Sequence, residues 1–384
     1  MARHVRRTGP LLLLALTVAW IIGPATDYEA FLFNTFLAYV VASVGTVFLV
    51  GWGGQVSFAQ AAFFGIGAYT TAHLARGIDP PLPLTVLIAA TCAAAFAIPM
   101  AIPAVRLRGV FLALTTLAYQ AAIERFLFRQ IWFTLGGEAI PVGTPHLAGS
   151  VMLNDQRALA LVLLPIAAGV YLAVHAMRRS KVGRALVGMH RREGAMAACG
   201  IAIPRYRLLA FVAAAFTAGA GGSLLTYALT SAPGSNEYTI VKSTVLLAIP
   251  VIGGITRLEG AVVGSALFVV MPEMIRRLEI QNFNVSAVMG LGLFLSAVAF
   301  RGGALGVLER ARDRERERFS WLARRRRPAG VSVDLSAVRL GRPVRVTLAD
   351  GVQLRISPDG ADGALQNGAV TNGPGKEAGR AVHR

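Results

Sequence analysis

The chain has 384 residues, of which 55% are hydrophobic and only 15% are charged, and its mean hydropathy is +0.57. A soluble globular protein carries roughly 25% charged residues, so this composition excludes an ordinary soluble domain. The net charge of +18 comes from short basic clusters between apolar windows, the positive-inside pattern of membrane proteins, so we expect contact with membrane lipid and no nucleic-acid binding.

Ten apolar windows follow one another along the chain, most of them close to the length that crosses a bilayer core about 30 Å thick. They predict an all-α integral membrane protein, a polytopic helical bundle of about ten spans. The first window is interpreted as a retained span, because the stretch after it, Pro24 to Asp27, is a poor signal-peptide cleavage site. The windows cover residues 10–24, 30–50, 55–75, 82–104, 109–128, 157–177, 206–229, 240–256, 260–275 and 284–300.

The basic residues indicate how the spans are oriented. With the N-terminus in the cytoplasm, ten crossings place 104–108, 178–205, 256–259 and everything after 300 on the cytoplasmic side, where arginine and lysine concentrate. The polar stretch 129–156 then faces outward. We therefore predict a multi-pass plasma-membrane protein with both termini in the cytoplasm.

Glycine precedes and interrupts the third window, where residues 51–72 read GWGGQVSFAQAAFFGIGAYTTA. Backbone that departs from a helix survives in a membrane only against protein or a water-filled path, so these glycines predict a helix break. Gln55, Ser57 and Gln60 then stand at the start of a half-helix. Its first backbone amides suit a carboxylate, as in transporters with discontinuous helices.

Gly65 and Gly67 follow on the same half-helix and form a smooth face, either for close helix packing or for passage of a solute. For residues 51–60 we favour a functional interpretation, because helix packing alone does not call for two glutamines.

A second glycine-rich region, AIPVIGGITRLEGAVVGSALF, occupies residues 248–268 in the other half of the chain. Its Gly253 and Gly254 interrupt an apolar run much as the first glycines do. Paired broken helices in the two halves of a transporter indicate the binding site, so this pair joins the predicted path. For Gly264 and Ser265, simple packing of small residues is the favoured interpretation.

Residues 178–205 form a basic segment that is too long for a tight turn between two spans. We predict one amphipathic helix, ended by Gly200 as a C-terminal cap. Composition leaves two roles open: receiving force from a separate protein, or anchoring in the lipid headgroups. The shared apolar face is predicted to contain Ala185, Leu186, Met189, Ala197 and Ala198.

The character of the chain changes after residue 300. Residues 301–328 predict a basic cytoplasmic helix with Glu–Arg pairs at i,i+4 spacing, lying against the anionic inner leaflet. Residues 329–384 contain VSVDL, VRVTL and VQLRI, whose alternation predicts short strands, followed by a disordered tail rich in Gly, Asn and Ala.

Four quoted stretches resemble, in the same order, the LivH/LivM family of high-affinity branched-chain amino-acid ABC permeases, and the LivM branch in particular. They are GQVSFAQAAFFGIGAYTTA, LRGVFLALTTLAYQ, the coupling-type segment with the helix that follows it, SKVGRALVGMHRREGAMAACGIAIPRYRLLAFVAAAFTAGAGGSLL, and STVLLAIPVIGGITRLEGAVVGSAL. The resemblance spans residues 30–300 and implies that 1–300 is a transmembrane permease domain with broken or re-entrant helices.

Carried over residue by residue, the resemblance assigns Gln55, Ser57, Gln60 and Gly65 to the lining of the translocation path. It assigns 178–205 to the helix that docks into an ATPase subunit. The predicted coupling residues are Gly183, Arg184, Arg191, Arg192, Glu193, Ala195 and Gly200.

The same resemblance implies the partners: a second permease subunit of the LivH type, two ATP-binding subunits and an extracytoplasmic solute-binding protein. The chain contains no G-x-x-x-x-G-K-[ST] loop and no catalytic constellation. We therefore predict a transport subunit and not an enzyme, with no cofactor of its own and with ATP and magnesium on the partner ATPases.

The chain departs from the family pattern at Thr134–Glu138, at Gly260–Ala261 and at Arg301–Gly303. These departures bear on the solute more than on the fold, so urea, short amides or another small solute stay open beside branched-chain amino acids. An ion-coupled carrier is the alternative from another class. The scarcity of acids within spans argues against it, since Glu124 and Glu273 lie near external ends.

Overall fold

The computed structural model describes residues 26–277 except 105, 108, 135, 137–138, 148–152 and 154, together with 332–333, 344–347 and 353–356. The predicted first and tenth windows, 10–24 and 284–300, and the predicted basic helix 301–328 lie outside these described residues.

Helices form most of the described part. Two of the helices continue into π-helical turns, at Val47–Trp52 and Ile123–Leu127. The helices are α1 Asp27–Thr46, α2 Gln60–Gly77, α3 Leu82–Ala104, α4 Val110–Ala122, α5 Ile131–Thr134, α6 Gln156–Arg179, α7 Lys181–Arg191, α8 Glu193–Ala198, α9 Ile203–Ala228, α10 Ile240–Gly253 and α11 Leu258–Arg277.

Among the described residues, five helices are long and apolar enough to cross a membrane: Asp27–Trp52, Leu82–Pro103, Val110–Leu127, Gln156–Arg179 and Ile203–Ala228. α10 and α11 form a further apolar unit that is bent by 116°. A polytopic helical membrane fold is therefore confirmed, whereas the total of ten spans stays a prediction.

Helix α9 lies at the centre of the bundle and packs on α1, α2 and α3. Its small-residue stretch, TAGAGG, lets three backbones approach it closely. A Cβ on Gly221 would lie 2.7 Å from the carbonyl oxygen of Ala38, and a Cβ on Gly222 only 1.9 Å from that of Phe64. No side chain fits at these crossings, so glycine sets the spacing of the helices.

Polar contacts group the helix ends into two sets. In one set, Tyr28 Oη donates to Glu273 (2.7 Å), Arg157 Nε donates to Asp27 (3.1 Å), and the short strands β1 (Ile140–Pro141) and β2 (Ser231–Ala232) pair antiparallel. This end therefore joins the starts of α1 and α6 to the end of α11.

In the other set, Arg207 Nη2 donates to Glu193 (2.9 Å) and the indole nitrogen of Trp52 donates to the carbonyl oxygen of Thr256 (3.3 Å). The same end thus contains the 178–205 segment, the end of the Asp27–Trp52 span and the bend between α10 and α11. The side of the membrane that each end faces stays a prediction.

A separate compact unit, Asp313–Arg384, contains three short antiparallel strands in the order β3–β4–β5. Val346 stands opposite Val333 on one neighbour and Leu354 on the other. The strands are β3 Ser332–Val333, β4 Val344–Thr347 and β5 Gln353–Ile356. The rest of the tail lies outside the described residues.

Candidate functional site

The first glycine-rich region is a true helix break. The π-helical turn ends at Trp52, α2 begins only at Gln60, and Gly54 adopts a left-handed φ of +66° between them. The amide of Gly54 donates to the carbonyl oxygen of Val50 (3.0 Å), and that of Gln55 to the carbonyl oxygen of Leu49 (3.2 Å). The predicted break is therefore confirmed.

Side chains from two other helices complete the backbone hydrogen bonds of this break. Phe58 N donates to Thr116 Oγ1 (3.0 Å), Ala61 N to Ser243 Oγ (3.2 Å) and Ala62 N to Gln120 Oε1 (2.7 Å). Such partners are what an interrupted backbone needs inside a membrane, where each buried amide requires an acceptor.

These bonds revise one expectation. The sequence suggested that the first amides of α2 are open to a carboxylate, but those of Ala61 and Ala62 are occupied by side chains. Sequence reasoning also missed Thr116, Gln120 and Ser243. The signal was available, since Thr116 and Gln120 are polar residues four apart in an apolar window and therefore share one helix face.

The three polar residues predicted for this region, Gln55, Ser57 and Gln60, are all buried in the structure. Ser57 Oγ accepts from Ala59 N (3.3 Å), which closes a local turn. Gln55 and Gln60 are only 4% and 1% exposed, yet neither the nitrogen nor the oxygen of either carboxamide has a hydrogen-bond partner among the described residues. A buried polar group without a partner costs about 1–3 kcal/mol, so these two amides are energetically costly.

Gly65 and Gly67 lie against protein in this conformation. A Cβ on Gly65 would lie 2.6 Å from Cζ of Phe128 and 2.8 Å from Cγ of Tyr238. A Cβ on Gly67 would lie 2.1 Å from the carbonyl oxygen of Gly219. Close packing is thus what these glycines permit here, and their part in solute passage stays a prediction.

The second glycine-rich region is also a break. α10 ends at Gly253, and Gly254, with φ +119°, donates its amide to the carbonyl oxygen of Pro250 (2.9 Å). A Cβ on Gly253 would lie 1.9 Å from the carbonyl oxygen of Gly260. A Cβ on Gly264 would lie equally close to that of Ile249, so the predicted packing role of Gly264 is confirmed.

The two breaks touch one another. A Cβ on Gly51 would lie 1.9 Å from the carbonyl oxygen of Ile255, which places the two backbones in direct contact. Next to this contact, the indole of Trp52 donates to Thr256. The breaks of the two halves therefore form one continuous region, a juxtaposition that spans 204 residues of sequence.

The 178–205 segment forms two helices, α7 and α8, instead of the single predicted helix. Ala185, Leu186 and Met189 are buried, as predicted. Ala197 and Ala198 are exposed, so their assignment to the same face was wrong. The physical reason is Arg192, whose non-helical backbone (φ −148°, ψ 81°) redirects the chain between the helices.

Glycines fix both ends of this segment. A Cβ on Gly183 would lie 2.4 Å from the carbonyl oxygen of Met177, so only glycine allows the tight turn from α6 into α7. At the other end Gly200 has φ +77°, its amide bonds Ala197 O (2.9 Å), and Ile201 N bonds Met196 O (3.2 Å). This is a Schellman cap, and the predicted capping role of Gly200 is confirmed.

The predicted charged residues divide into two groups. Arg184, Arg191 and Arg192 are exposed, as is Ala195. Glu193 is instead partly buried and accepts a hydrogen bond from Arg207 Nη2 (2.9 Å) at the start of α9. Glu193 therefore ties α8 to the bundle, and its contact with an ATPase stays a prediction.

Two contacts that sequence reasoning missed join this segment to the first break. The guanidinium carbon of Arg178 lies 5.5 Å from the ring centre of Trp52. The imidazole of His190, in the last turn of α7, lies against Gly54, where a Cβ would come 1.9 Å from Nδ1. Neither pairing has a signal in the local sequence.

Comparison with known proteins found a matching family model and two similar relatives. A family model described as "Branched-chain amino acid transport system / permease component" matches residues 29–298. No solved structure matches the chain significantly.

Two relatives are similar over most of the chain, and both are named high-affinity branched-chain amino acid transport system permease protein LivM. The protein of Escherichia coli (strain K12) is 27% identical over 305 residues, which cover 73% of this chain and 70% of the relative. The protein of Salmonella typhimurium (strain LT2) is 27% identical over 307 residues, with the same coverage.

Proposed function

The chain belongs to the branched-chain amino acid transport permease family, and from that premise we propose that it forms half of the translocation path of an ATP-driven importer. In this proposal a second permease subunit of the LivH type supplies the other half. Two ATP-binding subunits drive the cycle, and an extracytoplasmic binding protein delivers the solute.

The observation that carries the path assignment is the pair of unpartnered carboxamides on Gln55 and Gln60. Native proteins rarely leave buried amides unsatisfied, so two of them beside a helix break call for a partner from outside the described part of the chain. A solute in transit is such a partner. Gly65, Gly67, Gly253 and Gly254 complete the proposed path because they shape the two half-helices.

The proposed solute is a branched-chain or related hydrophobic amino acid. Both similar relatives carry that substrate class in their names. A carboxamide is neutral and offers both a donor and an acceptor, so Gln55 and Gln60 match the carboxylate and the ammonium of a zwitterion without adding a fixed charge.

The energy source in this proposal is external to the chain. The sequence has no phosphate-binding loop. The carboxylates of Glu124 and Glu273 are occupied: the former accepts from Ile240 N (3.1 Å), and the latter from Tyr28, Arg276 and Arg277. Groups held in this way at helix ends favour an importer over an ion-coupled carrier, which needs exchangeable carboxylates near the midplane.

The exposed surface of α7 and α8 is the proposed docking site for the ATPases. Its arginines offer charge-assisted hydrogen bonds to carboxylates of a partner. The proposed exposed contacts are Arg184, Arg191, Arg192, Ala195 and Gly200. Gly183 is buried and Glu193 is held by Arg207, so in this proposal they shape and hold the segment that docks. In this proposal both termini and the 301–384 tail lie on the cytoplasmic side of the inner membrane.

The test is reconstitution of the complete importer in liposomes with ATP inside and binding protein outside. We expect uptake of labelled leucine that stops when the phosphate-loop lysine of the ATPase subunits is changed to alanine. Uptake that persists with that variant and collapses with a proton ionophore would overturn the importer proposal. A parallel ligand screen of the binding protein tests the solute class separately.

A further inference from the structure

We propose that Trp52 and His190 are positioning residues that transmit motion of the ATPase-docking segment to both helix breaks at once. The inference rests on the proposed function, and it assigns a mechanical role to two side chains at one end of the bundle.

Trp52 stands where three elements meet. It is the last residue of the π-helical turn, its side chain is buried, and its ring packs edge-on against Phe48 at 5.5 Å between centres. Its indole N–H reaches the carbonyl oxygen of Thr256 in the second break. Its ring face receives the guanidinium of Arg178, the first residue of the docking segment. One side chain therefore contacts both breaks and the approach to α7.

His190 supplies the second contact. α7 packs on the π-helical turn and on α9 through its buried face, which includes Leu186 and Met189, while Arg184 and Arg191 stay exposed on the opposite side. A force on the exposed side thus moves α7 as a body. Because the imidazole rests on the backbone of Gly54, that movement is delivered to the residue next to Gln55.

The two breaks then move together because no space separates them. The contact between Gly51 and the carbonyl of Ile255 is backbone against backbone. Close-packed interiors transmit displacement instead of absorbing it. A shift of the first break is therefore passed to the bend of the α10–α11 hairpin, and the link through Trp52 keeps the two in register.

The first experiment measures ATP hydrolysed per solute transported in the complete reconstituted importer. Trp52→Phe keeps an aromatic ring but removes the N–H that bonds Thr256. We expect the ratio to rise about fivefold, the lower end of typical coupling between sites, with the affinity for the binding protein unchanged. Trp132→Phe is the matched control, since Trp132 is largely exposed and lies in the short helix α5 after α4, and its ratio should not move.

The second experiment uses the fluorescence of Trp52 itself. The sequence contains four tryptophans, and Trp52 becomes the only one in the importer when Trp20, Trp132, Trp321 and every tryptophan of the partner proteins are changed to Phe. We expect its emission to shift when a non-hydrolysable ATP analogue binds the assembled importer. The shift should be lost with His190→Ala and restored with His190→Gln, which again fills the space beside Gly54.

The outcomes separate the inference from the function on which it rests. If wild-type uptake is ATP-driven but Trp52→Phe keeps the wild-type ratio, or if the emission shift persists with His190→Ala, the inference is overturned and the importer stands. If wild-type uptake does not need ATP, the proposed function itself fails.

Discussion

Nδ1 of His190 lies 1.9 Å from the point where any residue other than glycine would place its Cβ at position 54. The docking segment thus rests on bare backbone at the break, at a residue whose φ of +66° also favours glycine. Space and conformation both restrict this position, and they can be separated by mutation.

Gly54→Ala should lower uptake strongly while the protein still inserts into the membrane. The added methyl group displaces His190. In addition, the left-handed backbone conformation costs alanine about 1–2 kcal/mol. Gly109→Ala is the control for backbone strain, because Gly109 has φ +56° and ψ −127°, a conformation at least as unfavourable for alanine, but no described atom near an added Cβ. Uptake assays on both variants decide the matter: equal losses would show that backbone strain alone matters, and that the contact with His190 does not.

Replacing Gln60 by Met should raise the apparent unfolding temperature in detergent and lower uptake. Methionine has a similar volume and removes an unpaired buried amide, whose burial costs about 1–3 kcal/mol. Gln120→Met is the matched control, since Gln120 accepts from Ala62 N (2.7 Å) and donates to Tyr238 O (2.9 Å). It should lower the unfolding temperature, because two backbone groups lose their partners. A similar loss of stability with Gln60→Met would contradict the assignment of Gln60 to the path.

Gly222→Ala should prevent correct packing of α9 on α2, because the new Cβ would lie 1.9 Å from the carbonyl oxygen of Phe64. We expect the free energy of unfolding to fall by about 1–3 kcal/mol or more, as at other overpacked positions, or the protein to misfold. Gly169→Ala in α6 is the control: a Cβ added there would meet no described atom within 4 Å outside its own stretch of helix, and alanine favours a helix over glycine by about 1 kcal/mol. Size-exclusion profiles and thermal unfolding should move in opposite directions for the two variants, and parallel behaviour would refute the crossing geometry.

Glu193 and Arg207 test whether the docking segment is held from within the chain. Glu193→Arg alone should loosen α8 and reduce uptake, since it places two arginines together where an ion pair of 2.9 Å now stands. The double exchange, Glu193→Arg with Arg207→Glu, should recover part of the uptake by restoring an ion pair. Limited proteolysis of the 190–207 region reports the loosening directly. No recovery in the double variant would assign Glu193 mainly to a contact with the ATPase.

The sequence predicted the features that depend on local chemistry. Glycines within apolar windows located both breaks, with glutamines beside the first, and the Gly200 cap followed from its place at a helix end. The helical periodicity of apolar residues in α7 placed Leu186 and Met189 in the interior. Each of these needs only a periodicity and the conformational freedom of one residue type.

The features that sequence missed depend on contacts between distant residues. The neighbours of Trp52 and the position of His190 cannot be derived from periodicity, because they are set by how separate helices meet. The assignment of Ala197 to the buried face failed because a single non-helical residue, Arg192, ends α7 and its periodicity. A helical pattern carries no information beyond the residue that interrupts it.

The capping of α2 by later parts of the chain has a consequence for biosynthesis. Ala62 and Ala61 find their acceptors 58 and 182 residues further along the sequence. A nascent polypeptide therefore enters the bilayer with the start of this helix still unfinished. The break can take its mature form only after Ser243 has been synthesised and has left the ribosome. The first half of the protein therefore completes its folding only after the second half is made.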